Sequence, residues 1–302
     1  MGSTAVEAHE TFELNVDATP SDVTAGAQST TAYTITNDDT ASVTIDDVTE
    51  LEGTGGTTNF AFTATLNVDV QGGFDVAYST ANGSTTAGDF DSGTTGTLNF
   101  PTGANGATAP LTVVVDADSI LEANETFTVT LGAVTNTGAT EAAAIDTTDT
   151  GAGQITNDDS AQISINANDD TASEPAGGNN GQFTVSVDNQ SDIPTTISYT
   201  VTGDATSGSD YTALLGNVTI PASTSSATID VTVLEDTLVE NDETVSVTLN
   251  SVTAGYTGNI SIDARISPIL SLFPMMTPRL SQFPHPYRRP TRRPPMVHLP
   301  LC

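Results

Sequence analysis

The sequence predicts an all-β chain of tandem β-sandwich domains, with seven strands in the one complete domain. Three observations predict it. Motifs return at a domain-sized interval: ITNDD stands at Ile35–Asp39 and again at Ile155–Asp159, and Glu-x-x-Glu-Thr begins at Glu7, Glu122 and Glu240. A period of 115 to 120 residues is a domain, not a solenoid turn. Short alternating apolar–polar runs recur between turn-rich connections, and no segment keeps a helical period. Thr, Ser, Gly, Ala and Asp dominate and Trp is absent, a composition that suits strands joined by small-residue turns.

In chain order, residues 1–39 read as the C-terminal third of one domain, ending in ITNDD. Residues 40–159 read as a complete domain with strands at 42–47, 59–66, 74–80, 96–100, 109–115, 125–131 and 153–157. Residues 160–264 repeat six of these, at 162–166, 182–187, 195–201, 216–220, 227–233 and 243–249. After Asp263 a closing strand is due. Instead the chain continues RISPILSLFPMM and ends Pro- and Arg-rich, with nine of the 15 prolines and every arginine in residues 265–302. So abrupt a change reads as a frame change or chimeric end; the rival is a basic, Pro-rich interaction segment in polyproline form. Either reading leaves the last domain without its closing strand, and so predicts an exposed sheet edge.

The charge is as unevenly placed as the prolines. All 38 acidic residues lie in residues 1–264, which contain no Lys or Arg, and the six arginines follow them, giving a net charge of −32. Such a body repels nucleic acid and anionic lipid and attracts divalent cations. The sole cysteine, Cys302, allows no intrachain disulfide. The opening MGSTAVEAHE has neither the basic start nor the apolar core of a signal peptide. No run approaches the roughly 18 apolar residues of a spanning helix, so no direct membrane insertion is expected.

The acids also cluster. In DADSILEANETFTVTL (Asp116–Leu131), Asp118, Glu122 and Glu125 precede an alternating strand with no cation in sequence reach. Carboxylates held that close repel, so folding must protonate them or bring in a metal. Only oxygen ligands are on offer, which selects a hard cation, calcium ahead of magnesium in an irregular loop. The loop is not an EF-hand, since it lacks the glycine at its sixth place and its glutamate arrives too soon.

Taken together, an early Glu-x-x-Gly, a middle AG-S-DY/DF (TAGDF and GSDY here), the run Asp-x-x-x-Glu-x-x-Glu-Thr-Phe and a final NDD resemble the Calx-beta domain. That family comprises calcium-binding modules of sodium–calcium exchangers, with similar domains in integrin β4 and large bacterial surface proteins. The resemblance covers residues 1–264. It implies immunoglobulin-like sandwiches with calcium held by loops at one end. In the complete domain it assigns the ligand roles to Glu50, Asp89, Asp118, Glu122, Glu125, Asp158 and Asp159. Ala117 stands where exchanger modules carry a further acid, with Asp116 one step away. In the next domain the roles fall on Glu174, Asp210, Glu235, Asp236, Glu240 and Glu243, without a closing NDD, so weaker binding is expected there. Residues 1–39 keep Glu7, Glu10, Asp38 and Asp39 but lack the partners of a complete cage.

Catalysis finds little support. His9 sits in the truncated copy and His285 and His298 in the C-terminal segment, so the body offers no Ser–His–Asp set. HExxH and phosphate-binding glycine loops are absent. Glu122 and Glu125 as glycosidase carboxylates would need aromatic sugar platforms, and few aromatics are present. The expected function is non-enzymatic: a calcium-binding structural stalk in an extracellular or cell-surface, adhesin-like protein, with neighbouring repeats as its partners. A regulatory calcium sensor coupled to a membrane or signalling partner is the alternative.

Overall fold

The computed structural model describes residues 3–16, 30–85, 87–173, 179–235, 241–263 and 269–273. The first element is a lone antiparallel hairpin, β1 (Glu10–Asn15) and β2 (Thr30–Ile35), in which Glu10 faces Ile35 and Phe12 faces Tyr33. Phe12, Leu14, Tyr33 and Ile35 share one side of it and are about half exposed.

The complete domain follows as β3 (Ala41–Ile45), β4 (Val48–Leu51), β5 (Gly56–Leu66), β6 (Phe74–Asn82), a 3-10 turn (Ala87–Asp89), β7 (Phe90–Ser92), β8 (Thr95–Phe100), β9 (Thr108–Ala117), β10 (Glu125–Thr135), a one-turn helix α1 (Ala139–Ala143), β11 (Ile145–Asp146) and β12 (Thr150–Thr156). They form two five-stranded sheets, β4-β12-β10-β6-β8 and β11-β3-β5-β9-β7. The seven expected strands are β3, β5, β6, β8, β9, β10 and β12. The three additional pieces, β4, β7 and β11, are edge segments of two to four residues, too short to show alternation.

Alternation dictates the core. Along β9 the side chains of Leu111, Val113 and Val115 turn inward while Thr112 and Asp116 face out, as a period of two requires. Phe127 on β10 fills the centre edge-on to Phe60, Phe62 and Phe90, at ring-centroid distances of 5.5, 5.9 and 5.3 Å. Its cross-strand neighbour is Gly153, where any Cβ would strike the Phe127 ring. The β10–β12 pairing repeats the register of β1–β2, with Glu125 opposite Ile155 and Phe127 opposite Gly153. The leading hairpin therefore presents to solvent the face that forms the core of the complete domain.

The next domain comprises β13 (Ala161–Asp169), β14 (Gly181–Val187), β15 (Thr195–Thr202), β16 (Asn217–Ile220), β17 (Ser226–Val231), β18 (Glu243–Ala254), β19 (Ile260–Ile262) and β20 (Ile269–Phe273). Its sheets are β17-β14-β13-β19 and β16-β15-β18-β20. Here the expected exposed edge is corrected. β20 lies antiparallel along β18, Glu243 opposite Phe273 and Val247 opposite Ile269, the register in which β12 closes the complete domain. The segment expected to leave that edge open thus supplies a strand. The reason is backbone chemistry: ILSLF is the proline-free stretch between Pro268 and Pro274, so each residue has the N–H that a ladder needs.

Successive units are joined by one device used twice. Val6 is fully buried in the core of the complete domain, its N–H donating to the Asp69 carbonyl (2.9 Å) and its carbonyl accepting from Gln71 N–H (2.8 Å). Leu121, 115 positions on, is fully buried in the core of the following domain. Its N–H donates to the Gln190 carbonyl (2.8 Å) and its carbonyl accepts from Asp192 N–H (3.1 Å). Among the described residues no helix is long and apolar enough to cross a membrane.

Candidate metal centre

The strand registers bring the acidic segments to one end of the complete domain. β4 and β12 run parallel and end there, β9 ends beside the start of β5, and β10 begins there, antiparallel to β12. Four connections thus converge: Glu52 after β4, Asp89 in the 3-10 turn, Asp118, Glu122 and Glu125 between β9 and β10, and Asp158 and Asp159 after β12.

Glu52 occupies the place expected for Glu50. Glu50 points to solvent from the edge strand β4, whereas Glu52 is buried, 5% exposed. Gly53 makes the difference: its φ of +90°, easy only for glycine, turns the chain directly after Glu52. Its N–H donates to Asp158 Oδ1 at 2.9 Å, fixing that turn to the closing segment. One oxygen of Glu52 accepts from the Asp118 backbone N–H; the other, Oε2, is buried without a partner. Both carboxylate oxygens of Asp159, which is 1% exposed, are likewise buried and unpartnered, as is Asn157 Oδ1. Buried oxygens without donors are costly.

The acids feel one another. Burial, then the charges of Glu122, Asp118 and Asp159, push the Glu52 carboxyl up to about 8. Burial, then Asp89 and Glu122, push Glu125 up to about 7. Burial, then Asp118, Asp89 and Asp192, push Glu122 up to about 6. Asp159 is raised by burial and by Asp158 and Asp118. Residues 1–264 contain no Lys or Arg to relieve this. Among the described residues no three His, Cys, Asp or Glu side chains are grouped closely enough to hold a metal ion.

Asp116 stays apart, exposed on β9 opposite Thr57. Asp158 is exposed and acts through the Gly53 turn. In the following domain Asp210 is buried, but its carboxylate accepts from Thr206 N–H within its own turn. Glu235 is exposed and Glu243 half-buried; Glu174, Asp236 and Glu240 lie outside the described residues. The β20 register places Met275-Met276-Thr277 in sequence where the complete domain has Asn157-Asp158-Asp159. That end has a closing strand without the closing acids.

Two residues escaped the sequence reading. Glu52 was legible as the acid directly before a turn glycine. Asp192 had no signal, because it reaches Glu122 and Glu125 only across the domain junction.

The profile of the Calx-beta domain matches residues 36–159 and 158–264, most of the chain. The chain belongs to the Calx-beta family. Its two matched Calx-beta units meet where the ITNDD motif ends, beside the acidic cluster. No curated protein matches the chain. Solved structures similar to this Calx-beta chain include CBD12 from CALX1.2, 20% identical over 71% of this chain and 82% of that one, TM-score 0.32. The calcium binding domain CBD12 of CALX1.1 is 17% identical over 77% and 99%, TM-score 0.33. The apo-form Calx CBD1 domain is 21% identical over 40% and 100%, TM-score 0.33. At those scores the likenesses add nothing to the family match.

Proposed function

We propose that the chain is a non-enzymatic calcium-binding array, its principal site at the acidic end of the complete Calx-beta domain. The observation that supports this most is the set of orphaned buried oxygens on Glu52 and Asp159 among acids whose pKa values are raised. The donor set is oxygen only and irregular, which suits a hard cation taking roughly six to eight oxygens, calcium ahead of magnesium. Glu52, Asp118, Glu122, Glu125 and Asp159 would hold it, with Asp89 beside Glu125. A bound cation would supply the positive charge that the body of the chain lacks.

The array serves, in this reading, as a stalk segment of an extracellular or cell-surface, adhesin-like protein. Support comes from the paired knobs, Val6 and Leu121, each buried in the next unit from the same loop that carries the acids. Ligand loop and docking loop are one segment, so holding the acids together also holds the domains in line. This favours a load-bearing joint over a freely bending sensor.

Thermal melting of the full chain in calcium, magnesium and chelator tests the site. Calcium should raise the melting temperature more than magnesium does. Glu52→Gln should remove most of the gain and Glu50→Gln none. A melting temperature indifferent to calcium would end the calcium reading. Saturation near millimolar calcium fits a stalk, and half-saturation near micromolar calcium with a change of shape would replace it by the sensor.

A further inference from the structure

The junction between the two Calx-beta units contains an acid that belongs to neither the loop set nor the domain carrying it. Asp192 lies between β14 and β15 of the following domain, and its backbone is tied to Leu121 of the preceding one. Its carboxylate lies close enough to Glu122 and Glu125 for its charge to act on both. The Tyr256 hydroxyl donates to this exposed carboxylate. The docking of Leu121 thus brings the connection between the second and third strands of one domain, with its carboxylate, to the acidic end of another. Residues 1–264 contain no Lys or Arg to place between them.

We infer that a divalent cation sits across this junction, with Asp192 of the following domain, oriented by Tyr256, as a ligand together with Glu122 and Glu125. The cluster is more than an acidic surface. Glu52 Oε2 and both Asp159 oxygens are buried in it without partners, and Asn259 Nδ2 from the following domain holds the Asp159 carbonyl at 3.0 Å. The following domain thus grips the closing acid segment by its backbone as well as facing the ligand loop. The site is complete only with that domain docked, so cation binding and docking strengthen one another reciprocally. The other junction provides the contrast: the residue in the place of Asp192 is Gln71, which carries no charge.

This inference rests on the calcium reading above, and one experiment separates the two. Calcium chloride is titrated calorimetrically into the chelator-treated full chain as wild type, Asp192→Asn and Tyr256→Phe, with melting temperatures measured in chelator and in calcium. Asp192→Asn should weaken one class of calcium site about tenfold, the usual scale for losing one charged ligand. The same variant should melt higher than wild type in chelator, because a repulsion is gone, and lower in calcium. Tyr256→Phe should weaken the same class by a smaller factor. A merely structural Asp192 would move both melting temperatures the same way. Wild type binding calcium with Asp192→Asn unchanged in affinity and stoichiometry would overturn this inference and leave the calcium reading intact. A wild type that takes up no calcium would overturn both.

Discussion

The two junctions share a geometry and differ in chemistry. Val6 and Leu121 each make a short parallel bridge to the next unit and insert into its core. Around Val6 the facing residue is Gln71, and Asn37 N–H donates to His9 Nδ1. Around Leu121 the facing residue is Asp192, and the equivalent bond runs from Asn157 N–H to Asn124 Oδ1. Apolar insertion from an acid-bearing loop therefore joins both pairs of units, and the facing carboxylate that completes an acidic wall is specific to the second joint. The first joint is a mechanical fastening; the second couples fastening to charge.

The sharpest way to break the comparison is to remove the knobs. Leu121→Ala should cost about 2–5 kcal/mol in urea unfolding of the full chain, as for other buried leucines. Val6→Ala should cost less, about 1.5–3 kcal/mol, because fewer buried methyl groups are lost. Equal effects from the two would mean that the acidic wall, not the knob, carries the second joint.

Next in size is the pH response of the second joint without divalent ions. The folded state holds Glu52, raised from 4.5 to about 8, Glu125, raised to about 7, and Glu122, raised to about 6. These acids keep protons that the unfolded chain has already released. Stability should therefore be greatest below about pH 4.5 for these groups and fall as pH rises through 8. Calcium should flatten that slope, and denaturant midpoints measured from pH 5 to 8 with and without chelator would read it. A slope unchanged by calcium would place the raised acids outside any cation site.

The smallest expected effect makes the first joint resemble the second. Gln71→Asp should destabilise the chain by less than about 1 kcal/mol, and added salt should restore the loss. Greater destabilisation, or none at any ionic strength, would show that the facing position does not set the joint's charge.

Much of this was legible in the sequence. Period-two alternation marked thirteen strands in the two larger units, and the repeated Glu-x-x-Glu-Thr and NDD motifs marked where the acids gather. β4, β7 and β11 were not legible, since segments of two to four residues carry no period. That Glu52, two residues after Glu50, faces the cluster is decided by a glycine φ that spacing does not reveal. Asp192 and Tyr256 lay beyond reach, because their relation to Glu122 exists only once Leu121 has crossed into its neighbour. Short-range patterns read well; contacts made between units did not.

β20 carries a broader lesson about what this scaffold demands of its sequence. Residues 269–273 share nothing with the GAGQI run at 151–155, yet they occupy the same slot in the same alignment. The slot needs backbone amides and the absence of proline, and two unlike sequences meet that need. Architecture and ion chemistry are thus separable inheritances here: an end can be rewritten and still close the sheet, while the carboxylates that followed it are lost.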